Sequence, residues 1–142
     1  MYVFNNTGSV SIKASVASAT LDIRFPVQTL PLKDSPEGAC VRMRARLRDT
    51  GEGARVLVRL MRLDITTGSL RSVGQIDTDA QPLLNGNHDS VYQTCLNVPN
   101  AFPFDVGSFA YYVDAKLIKT RATANPGLMV VQICNTDEAC QS

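Results

Sequence analysis

Cys40-Val41-Arg42-Met43-Arg44-Ala45-Arg46-Leu47-Arg48 alternates without a break between apolar and basic residues. Successive side chains of an extended chain point to opposite faces. The stretch therefore predicts a β-strand that lays Val41, Met43, Ala45 and Leu47 on a core and presents Arg42, Arg44, Arg46 and Arg48 on its other side.

Working outward, Asp49-Thr50-Gly51-Glu52-Gly53 has turn chemistry, and a second strand is predicted over 55–64. Val56, Val58 and Leu60 give its inner face and Arg55, Leu57, Arg59 and Met61 the other. The parity then shifts, with Arg62 in the inner slot and Leu63 in the outer one, which predicts a bulge or bend near Met61. Thr66-Thr67-Gly68-Ser69 makes a turn into a third strand over 70–76. These three strands are expected to form a consecutive antiparallel meander. A polar loop over 77–90 leads to a strand over 91–98. Strands over 109–119 and 128–134 follow, joined by Arg121-Ala122-Thr123-Ala124-Asn125-Pro126-Gly127 as an expected hairpin loop. The later strand is expected to direct Met129, Val131 and Ile133 inward. Before residue 40, alternation over 9–17 and over 21–27 suggests two further strands, and 30–37 is a Pro-containing loop.

Seven to nine short strands, with turns of Gly, Pro, Asn and Asp, imply an all-β domain, either a sandwich or a closed barrel. The loops differ widely in length, which favours an antiparallel, jelly-roll-like β-sandwich over a regular up-and-down barrel. The 142 residues suit a single domain, and 44% hydrophobic with 19% charged residues is globular composition. A formal net charge of +1 supplies no global field to draw in nucleic acid or an anionic membrane. No apolar run is long enough for a membrane-spanning helix.

Cys40, Cys95, Cys134 and Cys140 contain no C-x-x-C pair, so a zinc ribbon or thioredoxin-like motif is not indicated. Four cysteines allow three pairings. Cys134–Cys140, closing a small loop, together with Cys40–Cys95 is the expected one. The long Cys40–Cys95 loop would contribute roughly 4 kcal/mol by chain-entropy arguments. Disulfides imply an extracellular or periplasmic location. The start, Met1-Tyr2-Val3-Phe4-Asn5-Asn6-Thr7, lacks a basic segment followed by a long apolar one. That start is consistent with a cytoplasmic or virion-borne protein, or with one in which Met1 replaces a removed leader. Asn5-Asn6-Thr7 is a glycosylation sequon if the chain passes through a glycosylating route.

For catalysis the residues offer little. His88 is the single histidine, and His88-Asp89-Ser90 are chain neighbours, which cannot adopt triad geometry. Neither a nucleophile elbow nor a phosphate loop is present. No enzyme activity and no resident cofactor are expected. Among metals, calcium is the best candidate: Asn85, Asn87 and Asp89 space oxygen donors at alternate positions, with Asp77 and Asp79 shortly before them. The arginine stripe is the most unusual feature. Arg42, Arg44, Arg46 and Arg48, joined by Arg55 and Arg59 of the next strand, would offer a face for an acidic glycan or another polyanion. Without interleaved aromatic rings, nucleic acid is not the expected ligand.

The segment Phe109-Ala110-Tyr111-Tyr112-Val113-Asp114-Ala115-Lys116-Leu117-Ile118-Lys119, then Ala124-Asn125-Pro126-Gly127-Leu128 and Val131-Gln132-Ile133-Cys134, resembles the closing hairpin of uncharacterised exported bacterial β-sandwich proteins. The resemblance covers the last fifth of the chain and implies an extracytoplasmic sandwich, with no activity attached. These features together suggest a structural or assembly subunit of an extracellular filament, coat or particle. Self-association is expected, with Val3 and Phe4 available for strand addition to a neighbour. A glycan- or polyanion-binding module is the alternative.

Overall fold

A computed structural model describes residues 2–4, 10–27, 42–80, 89–95 and 108–134. They form nine strands: β1 Tyr2–Phe4, β2 Val10–Ile12, β3 Ala19–Pro26, β4 Arg42–Arg48, β5 Ala54–Asp64, β6 Leu70–Asp77, β7 Asp89–Cys95, β8 Phe109–Lys119 and β9 Gly127–Cys134. Five of them make one antiparallel sheet, sheet A, in the order β1-β2-β9-β4-β7, and four make sheet B, in the order β3-β8-β5-β6. Among the described residues no helix is long and apolar enough to cross a membrane.

The pairing has a simple rule. β2 pairs with β9, β3 with β8, β4 with β7 and β5 with β6. The chain is therefore one long antiparallel ribbon, folded at the β5–β6 turn and then wound over itself. Winding brings β9 against β4 and β8 against β5. That is a jelly roll, with β1 added outside β2. Tyr2–Phe4 pairs with Val10–Ile12 of its own chain on one side and forms an edge of sheet A.

The ribbon tip is set by local chemistry. Asp64 Oδ1 accepts the Thr66 and Thr67 N–H groups, its backbone N–H donates to Ser69 O, and Gly68 takes a positive φ of 73°. Asp and Gly suit these positions because the one caps backbone donors and the other adopts left-handed φ without a Cβ clash.

Burial follows the alternation. Met43 and Leu47 of β4, Val56, Val58 and Leu60 of β5, and Leu117 of β8 are fully buried between the sheets. Each such side chain contributes about 1.5–3 kcal/mol of burial free energy. β3 adds Leu21, Ile23 and Phe25 at the rim of this core.

Two expected connections are corrected. β4 and β5 are not hairpin partners, since β4 lies in sheet A and β5 in sheet B, so only β5 and β6 of the expected meander pair. Likewise β8 and β9 do not form a hairpin; the segment between them carries the chain from sheet B to sheet A. A turn between sheets and a turn within one draw on the same Gly, Asn and Asp residues, so composition does not distinguish them. The strand expected over 9–17 is confined to Val10–Ile12 and ends in a turn closed by Val16 N–H on Lys13 O.

The irregularity expected near Met61 is present, with the β5–β6 register shifting between Leu60 and Met61. Leu60 faces Gly74 and Met61 faces Ser72, so the extra residue is Val73 of β6, which is buried; β5 itself stays in register with β8 throughout. Arg62 takes the inner slot and stacks its guanidinium 4.3 Å from the Phe109 ring centroid, an arrangement that lets a cation close the apolar end of the core. A second shift, between Arg46 and Leu47 on the β4–β9 ladder, makes Met129 the extra residue of β9. Leu128, not Met129, therefore joins Val131 and Ile133 on the core side.

Candidate binding face on the five-stranded sheet

β4 is flanked on both sides in sheet A, which fixes what stands beside each arginine. Arg44 lies opposite Gln93 of β7 and Gln132 of β9, and Arg46 opposite Val91 and Val130. Arg42 faces the backbones of Cys95 and Cys134, and Arg48 those of Asp89 and Gly127. Neighbouring strands are about 4.8 Å apart and same-face residues along a strand about 6.8 Å apart. The part of the outer surface of sheet A formed by β9, β4 and β7 is thus a grid of three columns, with the arginines on the middle one. Val91, on the edge strand β7, and Val130, on the central strand β9, are 41% and 48% exposed. Arg44 Nε is buried with no hydrogen-bond partner among the described residues. Arg42 and Arg46 each engage another residue of the chain.

The outer face of sheet B is built differently. Asp114, central on β8, lies opposite Arg24 of β3 and Arg59 of β5. It accepts from Arg59 Nη2 at 3.0 Å and from Arg24 Nε at 3.3 Å. Lys116 Nζ donates to Asp22 at 2.7 Å, and Arg55 grips Asp77 with two hydrogen bonds of 3.0 and 2.6 Å. Arg24 also lies 5.3 Å from the Tyr112 ring centroid. Arg55 and Arg59, expected to extend the arginine stripe, therefore sit on the opposite sheet, each with a carboxylate. They were misplaced because chain order suggested β5 as the neighbour of β4. The residues missed were Val91, Gln93, Val130 and Gln132. Their signal was the alternation of the two later strands, which becomes informative once β7 and β9 are known to flank β4.

Other candidates resolve in part. Asn85 and Asn87 of the calcium pattern lie outside the described residues, and Asp89 begins β7 with its backbone opposite Arg48. Asp77 and Asp79, the suggested supplementary ligands, both approach Arg55, Asp79 at 3.6 Å. Hydrogen bonding by Arg55 is the main reason that the Asp77 carboxyl is held below its ordinary pKa, and the same contact raises that of Arg55. Cys40 and Cys140 also lie outside the described residues. Cys95 and Cys134 both stand opposite Arg42, on the two strands that flank β4. Two strand spacings put their Cα atoms about 9.6 Å apart, beyond the roughly 7 Å reach of a disulfide. A Cys95–Cys134 bridge is incompatible with this register, whereas it leaves open the expected Cys40–Cys95 and Cys134–Cys140 set.

At one end of the sandwich a groove of about 560 Å³ is lined by Asp49, Glu52, Arg55, Thr78, Asp79 and Thr120. Its polar groups are largely engaged in the fold: Asp49 Oδ1 accepts the Gly51 N–H at 2.8 Å, and Thr78 Oγ1 that of Val56 at 2.9 Å. Close by, Lys119 is buried, with Nζ donating to the Lys13 and Ala14 carbonyls at 3.4 Å, which tethers the β2–β3 turn. Tyr92, inward on β7, has a buried hydroxyl, and desolvation, reinforced by the charge of Asp49, raises its pKa. The outer surface of sheet A is the face that brings the sequence-predicted arginines Arg42, Arg44, Arg46 and Arg48 together on one strand. Compared with family models and with curated proteins, the chain matches none.

Proposed function

We propose that this chain is a non-enzymatic structural or assembly protein, a secreted β-sandwich subunit of an extracellular filament, coat or particle. The carrying observation is the ribbon tip. Ile65 and Leu70 flank the β5–β6 turn at 59% and 51% exposure, next to β6, the edge strand of sheet B. An edge strand offers unpaired backbone donors and acceptors, and two adjacent large apolar side chains give an added subunit something to bury. Covering them would yield about 1–2 kcal/mol each. Size-exclusion chromatography with light scattering, over rising concentration, tests this. Oligomers that dissolve in an Ile65→Lys/Leu70→Lys variant are expected; a strictly monomeric wild-type chain at high concentration refutes it.

A second reading, a module that binds a glycan or another polyanion, is favoured by the contrast between the two outer faces. Arg24, Arg55, Arg59 and Lys116 of sheet B are matched by Asp114, Asp77 and Asp22, whereas Arg44 stands between two glutamines. Exchange of Arg44 and Arg46 for Ser is expected to weaken retention on a heparin column, and unchanged retention counts against it.

A further inference from the structure

We infer that the outer face of sheet A is a linear subsite for an acidic polysaccharide, lying along β4 and reading both its charge and its sugar rings. The inference rests on the polyanion-binding reading and narrows it to one ligand class. Arg42, Arg44, Arg46 and Arg48 share one side of β4, at intervals of about 6.8 Å and over about 20 Å in all. The arginine row is flanked by a strand on each side, so the face offers a track to an extended chain lying along β4. Its two side columns make the site more than a charged strip. The Gln93 and Gln132 amides beside Arg44 offer both donors and acceptors, which suits hydroxyl groups. The exposed methyl groups of Val91 and Val130 beside Arg46 suit the C–H face of a pyranose ring. Guanidinium groups match carboxylate and sulfate oxygens in pairs.

Two other occupants fit less well. A single-stranded nucleic acid needs aromatic side chains on which to stack its bases, and the described side chains of this face include none: Tyr92, the aromatic residue of β7, points inward and is buried. A second copy docking by the same face across a two-fold axis would set one arginine row against another, and like charges in contact oppose binding.

The test uses the intact chain and four probes: a heparin-derived octasaccharide, a polygalacturonate oligomer, inorganic polyphosphate and oligo(dT). Titration calorimetry on wild type is expected to show the two glycans binding more tightly than polyphosphate or oligo(dT). The Gln93→Ala/Gln132→Ala variant should lower glycan affinity by about three- to tenfold, of the order of one lost hydrogen bond, and leave polyphosphate binding unchanged. Val130→Asp, at a side chain 48% exposed and with folding checked by circular dichroism, should weaken all anionic probes. If polyphosphate and oligo(dT) bind as well as the glycans and the glutamine variant behaves like wild type, the glycan inference is overturned while the polyanion reading stands. If no probe binds, both fall.

Discussion

Replacing Asp114 by Ala should destabilise the protein through one arginine far more than through the other. The Asp114 side chain is only 6% exposed and accepts from two guanidinium groups on opposite neighbouring strands. Arg59 is 29% exposed at 3.0 Å; Arg24 is 68% exposed at 3.3 Å. A hydrogen bond between charged groups contributes about 1.5–3 kcal/mol when shielded, and an exposed ion pair about 0–1 kcal/mol. Arg59 Nε is already buried without a partner among the described residues, so losing the carboxylate leaves that guanidinium poorly compensated. The sum for Asp114→Ala is about 2–3 kcal/mol, a fall in Tm of roughly 5–10 °C for a chain of this size. Double-mutant cycles by urea unfolding should give a coupling of about 1.5 kcal/mol for Asp114 with Arg59 and under about 0.5 kcal/mol for Asp114 with Arg24. Equal couplings, or a larger one for Arg24, would refute the claim that burial and not charge count decides the value of these pairs.

Asp77 has a lowered pKa in the folded chain, so its contribution is full above the ordinary carboxylate range near 4 and is lost as pH falls through the depressed value. Asp77→Asn should lower the urea midpoint at pH 6 and flatten its decline between pH 4 and 2. Tyr92→Phe removes a buried hydroxyl without a partner among the described residues, and should leave stability unchanged or raise it by up to about 1 kcal/mol; in wild type, ultraviolet titration should show one tyrosine ionising above the usual range near 10. Gly53 has a φ of +85°, and an added Cβ would lie 2.8 Å from Arg121 Cγ. Gly53→Ala should cost about 1–2 kcal/mol, and Gly51→Ala, with a φ of +97° but open space around it, should cost less in a thermal melt.

The alternation of β4, the inward and outward sets of β5, and the irregularity near Met61 were legible in the sequence, because a period of two fixes which face each side chain takes. Which strands pair was less legible. Alternation constrains faces and says nothing of edges, so β4 and β5 looked like neighbours across Asp49-Thr50-Gly51-Glu52-Gly53 although that turn passes from one sheet to the other. The same ambiguity put Arg55 and Arg59 beside the stripe and hid the Gln93, Gln132, Val91 and Val130 columns. Met129 was assigned inward because a bulge shifts parity without leaving a residue-type signature at its own position.

The winding of the ribbon has a consequence for how the chain acquires its structure. Val10 pairs with Leu128, more than a hundred positions downstream, while Leu63 pairs with Leu70 across a short turn. Contacts so distant in sequence carry the largest loop-closure cost and slow the search for the native state. β9 lies between β2 and β4, so sheet A stays in two pieces until Gly127–Cys134 slots in as the central rung. During synthesis the β5–β6 tip can zip early, but the arginine-bearing sheet must wait for that last rung to leave the ribosome. Until then the edges of β2 and β4 that β9 will cover stand open, and unpaired edges are where a nascent β protein is most exposed to pairing with another chain.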